Sequence, residues 1–220
     1  FKDRRDAGRR LAASLLHFRD RRPVVLALPR GGVPVGYEVA LTLQAPLDLV
    51  MVRKIGAPGQ PELAVAAVVD GGAPELVVNE SVRELLNVSD AYIEAEEARE
   101  LAEIERRRAL WLRNRPPVAL AGRSVIIVDD GIATGATTRV AIKAVRRAGP
   151  ARVLVAAPVA PPETAEILRS EADEAVFLGT PEPFYGISMF YEAFPQLSDE
   201  EVAALLEQAD AEYHETGGPA

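Results

Sequence analysis

The sequence predicts an α/β protein built on a doubly wound, mainly parallel sheet flanked by helices. Short apolar runs of strand length, at 24–28, 48–52, 125–128, 152–157 and 174–178, alternate with stretches of helical periodicity. Two of those runs, 24–28 and 125–128, end in small-residue loops that lead straight into a helix, an arrangement that aims backbone N–H groups at an anion. The bulk chemistry is that of a soluble globular chain, with 48% hydrophobic and 26% charged residues.

A length of 220 residues suits one α/β domain with insertions, and residues 1–220 are read as a single domain with a helical insertion at about 80–115. The net charge of −8 argues against general affinity for nucleic acid or an anionic membrane. Without cysteine there are no disulfides and no thiolate metal sites. No apolar run reaches the length of a membrane span and no signal-peptide pattern opens the chain, so a cytoplasmic location is expected.

Residues 1–18 place Ala7, Leu11, Leu15 and Phe18 at helical spacing with Arg4, Arg5, Arg9 and Arg10 on the other faces, so a structural helix with a solvated basic side is expected. The strand at 24–28 ends in Pro29-Arg30-Gly31-Gly32. Residues 33–43 then read as a helix, with Pro34 tolerated in its first turn. The two glycines permit close backbone approach, and Arg30 offers a fork of donors for phosphate oxygens. After the strand at 48–52, residues 53–62 hold two glycines and two prolines, which argues against a regular element and for a lid that brings Arg53 or Lys54 to a ligand. Lysine is scarce: only Lys2, Lys54 and Lys143 occur.

Residues 63–69 and 75–78 read as a strand pair turning at Asp70-Gly71-Gly72. A short helix at 81–86 precedes a long one, capped by Ser89 or Asp90 and running to about 113. Its acidic first half and Arg106–Arg108 in the second half complement the helix dipole, and Tyr92, Ala95, Leu101, Ile104 and Trp111 supply a packing stripe. A strand at 152–157 ended by Pro158, a helix from Pro161-Pro162 through 168, and a strand at 174–178 complete the core. Phe184, Tyr185, Phe190, Tyr191 and Phe194 then crowd an irregular stretch, before Ser198 caps a terminal helix.

The centre of the sequence is 125–138, VIIVDDGIATGATT. A buried strand delivers Asp129 and Asp130 to its carboxyl end, where open α/β sheets bind ligands. The loop Gly131, Ile132, Ala133, Thr134, Gly135, Ala136, Thr137 follows, offering N–H groups and hydroxyls to a phosphate. Two acids would repel a bare phosphate, so their natural partners are adjacent sugar hydroxyls or a divalent metal. No lysine follows Gly135 in the Walker manner, which argues against a P-loop nucleotide hydrolase, and the oxygen spacing fails the EF-hand pattern.

This stretch resembles the ribose-5-phosphate-binding signature of the type I phosphoribosyltransferases: apolar run, two acids, two residues, then a Thr-rich TGxT loop. Residues 125–130 and 133–137 match it position by position, and Gly131 stands where an apolar residue is usual, a departure that should loosen the turn. Pro29 to Gly32 resembles the family's pyrophosphate loop, whose RGG-type turn commonly holds a cis peptide. Residues 53–62 resemble its flexible catalytic loop, and RKIGAPG-x-PE is similar to a subgroup whose acceptor is not established.

The resemblance implies the type I phosphoribosyltransferase fold with a small hood at about 179–197. It also implies a Mg²⁺-dependent glycosyltransferase that moves the 5-phosphoribosyl group of 5-phosphoribosyl-1-pyrophosphate (PRPP) to a nitrogen acceptor, such as a nucleobase, and releases pyrophosphate. Arg30, with Lys54 or Arg53, would stabilise the leaving pyrophosphate together with Mg²⁺, and Gly31 and Gly32 would line its turn. Asp129 and Asp130 would hold the ribose hydroxyls. Mg²⁺ would be held mainly through substrate oxygens, with water linking it to the same two acids. Residues Gly131 to Thr137 would anchor the 5-phosphate. Phe184 or Tyr185 matches the place of a ring stacking on the acceptor base, while the same aromatic cluster can equally close the core or a dimer surface. A homodimer is the family's expectation. A non-catalytic sensor of PRPP on the same fold, or a module for another sugar phosphate, are the competing readings, and the acceptor stays open.

Overall fold

The computed structural model of the chain describes residues 1–70, 74–113 and 115–216. Helix α1 (Arg4–Ser14) and a 3-10 turn (Leu16–Arg21) lead into strand β1 (Val24–Ala27), helix α2 (Gly32–Leu43) and strand β2 (Leu47–Leu49). Strands β3 (Met51–Ala57), β4 (Gln60–Asp70) and β5 (Pro74–Val78) follow, then helices α3 (Glu80–Leu85) and α4 (Asp90–Leu112). Strand β6 (Ser124–Val128), helix α5 (Ala136–Arg147), strand β7 (Arg152–Val159), helix α6 (Pro162–Glu171) and strand β8 (Glu174–Gly179) complete the alternation. A 3-10 turn (Ile187–Phe190) and helix α7 (Asp199–Glu215) close the described chain.

Five strands form a parallel sheet in the order β2-β1-β6-β7-β8. Its central strands are buried on both faces, as parallel strands covered by helices must be. Along β6, Ile126 and Val128 join the core under α1, α2 and α7, while Val125 and Ile127 join the core under α5 and α6. From β1 the chain winds outward to β2, and from β6 it winds the opposite way to β7. The carboxyl ends of β1 and β6, registered by Ala27 opposite Val128, therefore flank the switch point where such sheets open a crevice. Both small-residue loops hang from that point.

Residues 53–62 are not irregular. Strands β3 and β4 form an antiparallel hairpin turning at Pro58-Gly59, with Gly59 at φ 73°, and β5 adds a third strand. The glycines and prolines sit where a hairpin needs them. At Gly56 the register shifts, and a Cβ there would lie 2.5 Å from Pro61 O, so the bulge depends on a residue without a side chain. Ile55 and Val65 are buried, and Tyr92 of α4 donates to Gly56 O at 2.9 Å. The strand expected at 48–52 divides at Val50, where the chain passes from one sheet to the other.

Two further boundaries differ from expectation. Strand β7 continues through Pro158, because its pairing to β6 has already ended at Ala156 and no ladder donor is required there. The first helix spans Arg4–Ser14 only, its start fixed by Asp3 accepting from Asp6 N at 2.7 Å, and its basic side is not wholly solvated because Arg4 is buried. In α4 the buried positions are Ile93, Glu100, Ile104, Trp111 and Leu112, so a carboxylate joins the expected apolar stripe. The turn expected at 70–72 lies largely outside the described residues. Among the described residues, no helix is long and apolar enough to cross a membrane.

Candidate functional site

The turn after β1 and the acids after β6 lie against each other. A Cβ on Gly31 would fall 2.1 Å from Asp130 Oδ2, and one on Gly32 would fall 2.7 Å from Val128 O and 3.3 Å from Asp129 Oδ1. Only glycine allows this approach. The turn itself is closed by Gly32 N donating to Leu28 O and Val33 N donating to Arg30 O, and the Pro29–Arg30 peptide is cis.

From Gly131 the loop runs along β7 and into α5. Ile132 is buried and donates its N–H to Val159 O at 2.9 Å, and Thr164 Oγ1 donates to Ala133 O at 2.7 Å. Gly135, at φ 74°, caps α5 with no side chain of its own to offer the first turn, where Ala136 N donates to Thr134 Oγ1 at 3.4 Å. Ala133, Thr134 and Ala136 are exposed and Thr137 is half-buried, so the loop presents N–H groups and hydroxyls outward. The positive end of α5 is thereby left open for an anion.

A cavity of about 310 Å³ unites these parts; Leu28, Pro29, Arg53, Arg107, Asp129 and Thr137 are among the side chains that line it. Arg53 is also held by Glu100, Nε to Oε2 at 2.6 Å. Its neighbour Lys54 points the other way, because successive strand residues face opposite sides. Lys54 lines an adjoining cavity of about 550 Å³ between the hairpin and α5, with Lys143, and Val52 and Thr137 border both. Of the two cations expected at the pyrophosphate, the structure thus brings Arg53 to the cleft and Lys54 to its outer side. Arg30 leans toward α7, donating from Nη1 to Leu197 O at 2.9 Å and pairing through Nη2 with Asp199 at 3.0 Å.

The two acids have unlike surroundings. Asp129 lines the cleft and accepts from Asp130 N at 2.8 Å; burial, then the charge of Asp130, hold its carboxyl well above the ordinary carboxylate range. Asp130 is buried and paired with Arg4, Nε to Oδ2 at 2.7 Å; burial raises its pKa despite the guanidinium, which acts to lower it. Among the described residues no group of three or more His, Cys, Asp or Glu is placed to hold a metal ion.

Phe184 is half-buried against Phe190, ring centroids 5.2 Å apart, and Tyr185 is 83% exposed. Neither lines the 310 Å³ cavity. The rest of the aromatic stretch packs: Tyr191 is buried between Phe1 and Phe194, and its hydroxyl donates to the Asp130 carbonyl. Arg4, Arg107 and Tyr191 are the residues that sequence reading did not place here. Arg4 and Arg107 read as helix-surface charges because nothing local marks the tertiary contact each makes; Tyr191 was visible only as one ring of a cluster.

Comparison with known proteins bears on this constellation. A profile of the phosphoribosyl transferase domain matches residues 2–176. Two curated proteins of Mycobacterium tuberculosis, "Putative phosphoribosyl transferase Rv0571c" of strain H37Rv and "Putative phosphoribosyl transferase MT0597" of strain CDC 1551, are each 44% identical over 217 residues, 99% of this chain and 48% of theirs. The chain thus spans about half the length of the curated relatives it matches. The crystal structure of TT1426 from Thermus thermophilus is 45% identical, superposes with a TM-score of 0.81, and the match covers 94% of this chain and 98% of that one.

Proposed function

The chain belongs to the phosphoribosyltransferase family, and from that membership we propose that it transfers the 5-phosphoribosyl group of PRPP to a nitrogen acceptor and releases pyrophosphate. The observation that carries the reading is the packing of Gly31 and Gly32 against Asp130 and Asp129, beside the open amino end of α5. A turn for one phosphate group, an acid for hydroxyls and a helix end for a second phosphate match the three parts of phosphorylated, pyrophosphorylated ribose.

In this reading the C1–O bond to pyrophosphate breaks and a C1–N bond forms, with the acceptor nitrogen losing a proton. Electron deficiency grows on the ribose ring while negative charge grows on the leaving oxygens. Asp129 accepts hydrogen bonds from ribose hydroxyls and favours the positive ring. The loop Gly131 to Thr137 binds the 5-phosphate, remote binding energy that orients C1. Arg53, from β3, and the backbone of residues 29–32 meet the pyrophosphate. Arg30 would join them by exchanging its contact with Asp199 for the ligand.

Mg²⁺ is a proposal of the same reading. Hard carboxylate oxygens suit it, and an incomplete protein cage suits an ion that arrives bound to substrate oxygens, with Asp129 and Asp130 reached directly or through water. When bound it would neutralise charge on the pyrophosphate. The acceptor and a homodimeric assembly belong to the proposal in their general form only, and Phe184 or Tyr185 would meet the acceptor only if the 184–190 stretch folds toward the cleft.

The test is incubation with PRPP, Mg²⁺ and a panel of purines, pyrimidines and simple amines, following pyrophosphate release. Acceptor-dependent release supports transfer. PRPP binding with no release under any acceptor would favour a sensor of the same ligand.

A further inference from the structure

Helix α4 uses one device twice along a single face. Glu100, Glu103, Arg107 and Trp111 recur at intervals of three and four residues, the spacing that stacks side chains on one side of a helix. Glu100 accepts from Nε of Arg53, on β3, at 2.6 Å, and Glu103 accepts from Nε of Arg107 at 2.6 Å. Each guanidinium thus spends its Nε–H on a glutamate of α4. Among the described residues, the Nη groups of both arginines have no hydrogen-bond partner. Both side chains line the cavity of about 310 Å³, beside Pro29 and Asp129. The other expected cations are engaged or turned away. Arg30 commits Nη1 to Leu197 O and Nη2 to Asp199, and Lys54 faces the adjoining cavity. Arg107 is held from below as well. Its guanidinium carbon lies 5.7 Å from the ring centroid of Trp111, which is buried and donates from Nε1 to Asp199 at 2.9 Å. Glu103 also accepts from Arg106 Nε at 2.8 Å, so one carboxylate serves two guanidinium groups and a positive charge is left over.

We propose that Arg107, from the helical insertion, is a pyrophosphate-binding residue: with Arg53 it forms a pair of guanidinium forks, each set by a glutamate of α4, that holds the leaving group. The proposal rests on the phosphoribosyl reading above. A guanidinium whose Nε is engaged presents its two Nη groups as a planar fork, which can meet two oxygens of one phosphate at once. Two forks suit a ligand with two phosphates. The glutamates fix each fork before the ligand arrives. Neither lines the cavity, so they orient the arginines without setting a carboxylate against the anion. The helix that carries them is fastened to the hairpin, by Tyr92 on Gly56 O and by Arg108 pairing with Asp70 at 3.0 Å, so Arg53 and Arg107 keep their mutual placement. Negative charge grows on the leaving oxygens during transfer, and guanidinium groups fixed there favour the transition state over the bound substrate.

The experiment is calorimetry of pyrophosphate and of ribose 5-phosphate, at one fixed concentration of Mg²⁺, for the wild type, Arg107→Ala and Arg106→Ala. Ribose 5-phosphate carries no pyrophosphate and reports whether the rest of the site is intact. Arg107→Ala should bind pyrophosphate at least about tenfold more weakly than the wild type, the loss expected when hydrogen bonds to a charged group are removed. It should bind ribose 5-phosphate as the wild type does. Arg106→Ala takes an equal charge from the same glutamate, one position along the helix and outside the cavity, and should bind both ligands as the wild type does. Unchanged pyrophosphate affinity in Arg107→Ala, an equal loss of both ligands, or an equal pyrophosphate loss in Arg106→Ala overturns the proposal. Should Arg107→Ala not fold, Arg107→Gln keeps most of the stem and is judged by the same comparison. A wild type that binds ribose 5-phosphate but no pyrophosphate also overturns the proposal, whereas one that binds neither sinks the phosphoribosyl reading itself.

Discussion

A Cβ on Gly131 would lie 2.6 Å from Cγ2 of Ile187. The glycine that departs from the signature's usual apolar residue therefore has its missing volume filled by a side chain of the 187–190 turn, and the turn is not loosened by it.

Gly131→Leu should lower stability by about 1 to 3 kcal/mol, the ordinary range for overpacking. Ile187→Ala, harmful alone, should recover part of that loss in the double variant, with a coupling of at least about 0.5 kcal/mol in urea unfolding. Additive losses would mean that the two positions do not share a space.

Asp129 supplies a prediction in pH. Its raised pKa means that the folded chain keeps a proton which the unfolded chain has released, so stability is fully present below about pH 4, the ordinary carboxylate value, and is lost as pH rises toward the raised value. Asp129→Asn removes that loss. Relative to the wild type its stability should improve across that window, at about 1.4 kcal/mol for each unit by which the pKa is raised. Ribose 5-phosphate binding by the same variant should fall about tenfold or more. Urea unfolding at pH 4 to 8 checks the first part; a difference independent of pH would contradict it.

Thr134→Val with Thr137→Val deletes two hydroxyls with little change of volume, one exposed and one half-buried. Each hydrogen bond to a charged group is worth about 1.5 to 3 kcal/mol, so ribose 5-phosphate affinity should fall by at least about tenfold. Calorimetry that finds the affinity intact would remove the 5-phosphate from this loop.

The hairpin separates two neighbours. Arg53→Ala should weaken pyrophosphate binding more than Lys54→Ala does, since Arg53 lines the cleft with Pro29 and Asp129 while Lys54 shares the outer cavity with Lys143. The reverse order would show that the hairpin reorganises when the ligand arrives.

Residues 125–138 and 29–32 were legible because their chemistry is local: a buried strand, then acids or glycines at fixed spacing, then a helix. The five core strands followed from apolar runs bounded by turn residues. The hairpin at 53–62 was missed because two glycines and two prolines are counted as breakers, although Gly59 makes its turn and Gly56 its bulge. Arg4 and Arg107 were missed for another reason. On their own helices they look like any surface arginine; a distant segment gives Arg4 its partner Asp130, while Arg107, paired with Glu103 on its own helix, reaches the cleft wall only through the way α4 packs.

The switch point also sets an order of events. Strand β1 finds its neighbour β6 only when residues 124–128 exist, so the two halves of the cleft are made far apart in time. On a ribosome adding about 5 to 20 residues each second, the turn at 29–32 waits on the order of 5 to 20 s for its acids. Until then β1 has β2 on one side and an unpaired apolar edge on the other, and the antiparallel hairpin, whose contacts are local, can close first. A nascent chain halted before residue 124 should therefore protect the hairpin amides from exchange while those of β1 remain open on the β6 side.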